Sequence, residues 1–217
     1  MDVPYNYYFI ALSMITAFAM FSRKGIPLYL RLFPYFLLVT FVTEILGWQL
    51  ANEDKNNAAI YNFFSVAAFI FYSYLIMQVI YSKKAKYIIR LVIIIYTVVS
   101  LFNILFIQKL DGFHTMTYSL GCFLIVVESI YYFLELFQYP RFINLMREPA
   151  FWIVSGLLFF YTCTLPVLGV VNYLISFPMV IMSSLQQLII ILNVLLYSLF
   201  TIACLCRINF RRYTSSL

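Results

Sequence analysis

Long apolar runs, separated by short clusters of charge, Asn, Gly and Pro, make up nearly the whole chain. A membrane-spanning helix needs about 20 mostly apolar residues. Cutting at the polar clusters leaves seven runs of that kind, at 5–22, 27–50, 57–81, 87–107, 113–138, 149–173 and 178–206. The connections are too short for a linker or a second domain. The pattern therefore predicts one all-α unit over residues 1–217, a polytopic bundle of seven transmembrane helices. Pro34 and Pro166 fall inside the second and sixth runs, where a missing backbone donor is expected to kink the helix and bare a carbonyl.

Composition says what surrounds such a bundle. Of the 217 residues 65% are hydrophobic and only 10% charged, with a mean hydropathy of +0.95. A soluble domain carries about 25% charged residues, so the apolar surplus here must meet a lipid bilayer. Disorder, a disulfide scaffold and a soluble catalytic or DNA-binding domain are excluded on the same grounds.

Charge placement adds an orientation, because Lys and Arg collect in short cytoplasmic loops. Arg23, Lys24, Arg31, Lys83, Lys84, Lys86, Arg90, Arg141, Arg147, Arg207, Arg211 and Arg212 fall on one side, and only Lys55 and Lys109 on the other. This bias predicts the N-terminus outside and the C-terminus in the cytoplasm. The net charge of +6 is then a topology signal, and no nucleic-acid partner is expected. The start Met1-Asp2-Val3-Pro4 lacks the basic region of a signal peptide, so the first helix is expected to be retained. Trp48, Trp152 and many of the 19 Tyr are expected at the headgroups.

An ionisable group within a span is costly and asks for a reason. Glu44 lies about 20 Å above Arg31, Glu128 sits near the midplane, and Glu135 is close enough to the cytoplasmic edge to snorkel or pair with Arg141. Glu44 and Glu128 are therefore the candidate sites for a ligand, proton or cation, whereas Glu135 needs no functional role. Thr40, Glu44, Gly47 and Ala51 share one face of the second helix, as do Thr117, Gly121, Glu128, Tyr132 and Glu135 on the fifth. On the seventh the stripe is Ser183, Gln186, Asn193, Tyr197 and Thr201. Such stripes indicate the bundle interior, where amides and hydroxyls also serve to bond helices together. By depth, Asn62, Asn103, Glu44, Gln186 and Gln187 occupy the outer half, Glu128 and Asn193 the middle, and Leu, Ile, Phe and Tyr the inner half. An outward-facing polar cavity, closed below, is the expected arrangement, with Glu44, Glu128, Asn62, Gln186, Gln187 and Asn193 as its binding residues.

The residues of common active sites are missing. His114 is the only histidine and is expected in a solvated loop; with it alone, metal-binding and Ser-His constellations are unsupported, and no cofactor or metal is implied. Cys122, Cys163, Cys204 and Cys206 read as free packing thiols. No span carries a central Lys, which removes a retinal Schiff base. The stretches Tyr61-Asn62-Phe63-Phe64, Phe151-Trp152-Ile153-Val154-Ser155-Gly156 through Tyr161, and Asn193-Val194-Leu195-Leu196-Tyr197 resemble those of small, uncharacterised seven-helix bacterial integral membrane proteins. That resemblance implies the seven-helix fold and a bacterial inner (cytoplasmic) membrane, and brings no activity with it.

The function expected from these residues is a non-enzymatic receptor or binding module with an outward polar cavity for a small ligand, coupled to a membrane or cytoplasmic protein partner. The alternative is a small-solute transporter in a three-one-three helix arrangement, with Glu44 or Glu128 as its proton or cation site. The spacing from Asn62 to Tyr72-Ser73 is repeated from Gln187 to Tyr197-Ser198, as that alternative would favour. A lipid enzyme with paired carboxylates would lack its usual His, Ser or Lys partners.

Overall fold

The computed structural model describes residues 4–21, 25–107, 112–138, 145–173 and 179–214, with side chains left out at 21, 170–173, 179–183 and 207–214. Among these residues the chain forms seven long α-helices: α1 (Asn6–Phe21), α2 (Leu28–Asn52), α3 (Ala58–Val79), α4 (Lys83–Phe102), α5 (Thr115–Gln138), α6 (Pro149–Tyr173) and α7 (Met179–Thr214). Six are long and apolar enough to cross a membrane; α1, with Asn6–Met20, is a shorter apolar helix. Its 16 residues rise about 24 Å, below the roughly 30 Å of a hydrocarbon core.

Two helices depart from the expected bounds. α4 begins at Lys83 rather than 87 because Ser82 caps it, its Oγ accepting from Ala85 N at 3.3 Å. It also ends in a π-helical turn, Asn103–Ile107. α7 continues beyond Cys206 to Thr214, so the three terminal arginines ride on a helix about 54 Å long that outruns the bilayer. α2 and α6 each run through their internal proline.

The short connections reverse the chain at each step. We call upper the end that carries the start of α1 and the α2–α3 turn. Six helices close a ring in the order α1–α2–α3–α5–α6–α7, with α7 returning to α1. α4 stands outside it, packed on α3 and touching α5 lightly. Its outward residues, among them Ile88, Ile94, Ile95 and Val98, are exposed, as a lipid-facing helix requires.

Aromatic side chains fill the middle of the ring. Phe33 of α2 meets Phe200 of α7 edge-on at 5.1 Å, and Tyr72 of α3 meets Tyr161 of α6 at 6.1 Å. Phe36 stacks on Phe71 at 4.1 Å. Phe33 and Phe200 are fully buried, and Phe33 lies only about 8 Å above the foot of α2. The lower half of the ring is therefore occupied by packed rings, whose contacts across it add to the apolar burial.

Candidate functional site

Glu44 stands about 24 Å up α2, half-buried, where α1 and α3 converge on it. Tyr7 of α1 donates its hydroxyl to the Glu44 carbonyl at 3.0 Å, and Tyr61 of α3 reaches Oε2 at 3.4 Å. Tyr61 can lie so near because Gly47 has no side chain: a Cβ there would collide with the phenol ring. One turn above Glu44, the Trp48 indole N–H is buried without a partner among the described residues. In the upper part of the ring, then, a carboxylate is surrounded by aromatic groups with hydroxyl and N–H donors.

Below it lies a set of tyrosines, of which only Tyr197 was expected in the bundle interior. Tyr72, Tyr161 and Tyr197 are buried in the ring, and Tyr118 is partly buried beside them. Tyr161 lies within electrostatic reach of Tyr72, Tyr118, Cys122 and Tyr197. Tyr197 in turn reaches Tyr72, Tyr118, Tyr61 and Glu44. Phenols from α3, α5, α6 and α7 thus converge beneath Glu44. A buried phenol normally finds a hydrogen-bond partner, which is why four together are chemically informative. Only the three-dimensional meeting distinguishes them from the other tyrosines; Tyr197 alone carried a sequence signal, as a member of the α7 stripe.

The remaining candidates separate. Asn62, 1% exposed, is engaged on both ends of its amide: Nδ2 donates to Gly112 O at 2.9 Å, and Oδ1 accepts from His114 N at 3.0 Å. It ties α3 to the segment entering α5. His114 is buried by this tie rather than solvated. Asn193 donates to Ile189 O of its own helix at 3.0 Å. Gln186 and Gln187 are exposed; Gln186 shares the Asn193 register but lies toward the upper end of α7, and neither joins the tyrosines. Ser183 of that stripe has no described side chain.

The stripe hydroxyls of Thr40 and Thr201 turn to their own helices, as does that of Thr164 on α6, whereas Thr117 of the α5 stripe accepts from Asn103 Nδ2 at 2.7 Å. Thr40 donates to Phe36 O, Thr164 to Phe160 O and Thr201 to Tyr197 O, at 2.9, 2.7 and 2.9 Å. In an apolar medium the carbonyl one turn back is the nearest acceptor, so these groups bond locally rather than between helices.

Glu135 is buried at the lower end and accepts the backbone N–H groups of Tyr81 and Ser82 at 2.5 and 2.6 Å. It caps α4 from α5, instead of snorkelling. Arg141, its expected partner, lies outside the described residues. Trp152 is half-buried, its indole N–H donating to Met146 O at 2.9 Å.

Glu128, 6% exposed, occupies the middle of the α3–α5 contact. Neither carboxylate oxygen has a hydrogen-bond partner among the described residues, nor do the hydroxyls of Ser73 and Ser129. Ser73 of α3 is the side chain that faces it. Among the described residues no three His, Cys, Asp or Glu side chains gather as metal ligands would.

Compared with family models, curated proteins and solved structures, the chain matches none.

Proposed function

We propose that the protein is a non-enzymatic membrane binding module, a receptor or the membrane part of a larger assembly, that takes a small organic cation from its upper side. The observation that carries this reading is the convergence of four tyrosines from four helices beneath Glu44. A carboxylate balances a positive charge, and aromatic faces attract it by their quadrupoles. The phenols add donors for a polar substituent. The basic bias places this side outside the cell, in keeping with residence in a bacterial cytoplasmic membrane. Signalling would then pass through α7, whose lower end extends beyond the bilayer, to a membrane or cytoplasmic partner.

The test is thermal stabilisation of the purified protein by tetramethylammonium and simple primary amines, since a ligand that binds the folded state raises its stability. Stabilisation that is saturable in the wild type, and lost in Glu44→Gln and weakened in Tyr197→Phe, is expected. No effect of any cation, or equal effects in all three proteins, would overturn the reading.

A second reading, small-solute transport, is favoured by one observation: with α4 set aside, α1–α3 and α5–α7 follow one another around the ring in the same order, as repeats related by an axis along the membrane normal do. The packed Phe33 and Phe200 would then have to part during each cycle. Uptake of the same cations into proteoliposomes separates the two, because a receptor binds without flux.

A further inference from the structure

The α3–α5 contact is fastened at both ends and unsatisfied in the middle. At the top Asn62 of α3 holds Gly112 and His114; at the bottom Glu135 of α5 holds Tyr81 and Ser82. Between these ties lie the Glu128 carboxylate and the Ser73 hydroxyl, on facing helices, both buried and neither with a hydrogen-bond partner among the described residues. Native proteins rarely leave such groups unmatched, and an unmatched cluster signals an occupant not represented by protein atoms. We propose that Glu128 and Ser73 form a buried proton-binding site, in which Glu128 holds one proton and shares it with Ser73 Oγ.

The donor set selects the proton over a metal cation. Hard divalent cations gather about six or more oxygens, whereas this site offers one carboxylate and one facing hydroxyl, with Ser129 adjacent in the chain. Nearby main-chain carbonyls belong to α-helices and are engaged in their ladders. A proton needs one acceptor. Among the described residues no charged side chain acts on the carboxylate. On its own helix the titratable groups along this face are Tyr132, one turn below, and Glu135, already committed to α4; on α3 Tyr72 adjoins Ser73. At the same depth α6 carries Tyr161, and α4 packs Val92 and Ile93 against the core. None supplies a positive charge, so a deprotonated Glu128 would be a buried charge without a counter-ion among these residues. This inference stands independently of the cation site beneath Glu44.

The experiment is infrared spectroscopy of the full-length protein in lipid nanodiscs across a pH series. A protonated carboxyl gives a C=O stretch distinct from carboxylate absorption. The expected result is such a band at neutral pH that shifts in heavy water, disappears in Glu128→Gln, persists in Glu44→Gln, and moves in frequency in Ser73→Ala as the hydroxyl facing it is removed. Should Glu128→Gln fail to fold, the Ser73→Ala shift still assigns the band. No protonated-carboxyl band, a band indifferent to Ser73→Ala, or one that sodium or potassium abolishes at constant pH would overturn the proposal.

Discussion

Asn62 and Glu135 are reciprocal clamps on one helix pair. Asn62, on α3, binds the backbone that enters α5, and Glu135, on α5, binds the backbone that leaves α3. Each satisfies main-chain groups at a helix end that would otherwise be orphaned in apolar surroundings. Together they hold α3, α4 and α5 as one body.

Removing either clamp is expected to destabilise the fold. Asn62→Ala and Glu135→Ala each strand two backbone groups, at about 1–3 kcal/mol per group left unpaired. The clamps are separated by about 28 Å of helix rise, so their costs should add in the double variant to within about 0.5 kcal/mol. Reversible unfolding in mixed micelles measures all three. A double variant no less stable than either single would mean that the clamps do not act separately.

Two glycines admit tyrosines, with different consequences. Gly47 lies under Tyr61 and Gly121 under the Tyr96 hydroxyl, which donates to Thr117 O at 3.2 Å. Alanine at either position should cost about 1–3 kcal/mol through overcrowding. Gly47→Ala should also weaken cation binding by displacing Tyr61 from Glu44, and Gly121→Ala should not. Melting curves taken with and without tetramethylammonium distinguish the two effects.

Along α7, burial changes from top to bottom. A single cysteine at Gln187 should react readily with a small maleimide in detergent-solubilised protein, and one at Thr201, which is buried, should be protected. Equal rates would place Gln187 inside the ring.

A reporter fused after Leu217 is expected in the cytoplasm, and a tag within 52–57 should be reachable from outside, as the basic bias requires. An external C-terminal reporter would invert the proposed binding side along with the topology.

The helical type and approximate bounds of the elements could be read from the sequence, because lipid demands long apolar runs and an α-helix satisfies its own backbone. α5 and α6 end where charge, Pro and polar residues said they would. The extension of α7 past Cys206 was less legible, since a helix leaving the bilayer no longer needs apolar residues. Helical spacing assigned Glu44 and Glu128 to interior faces, and depth alone added Asn62. It could not say which of them was already engaged, for that depends on residues distant in the chain: Asn62 bonds to Gly112 and His114, while the Glu128 carboxylate has no hydrogen-bond partner among the described residues. Nor could it distinguish Tyr72, Tyr118 and Tyr161 from tyrosines at the headgroups, because a phenol suits either setting. Helix formation is local and leaves a periodic signal; which helix becomes whose neighbour is decided by packing, and that put α4 outside the ring and brought the tyrosines of four helices together beneath Glu44.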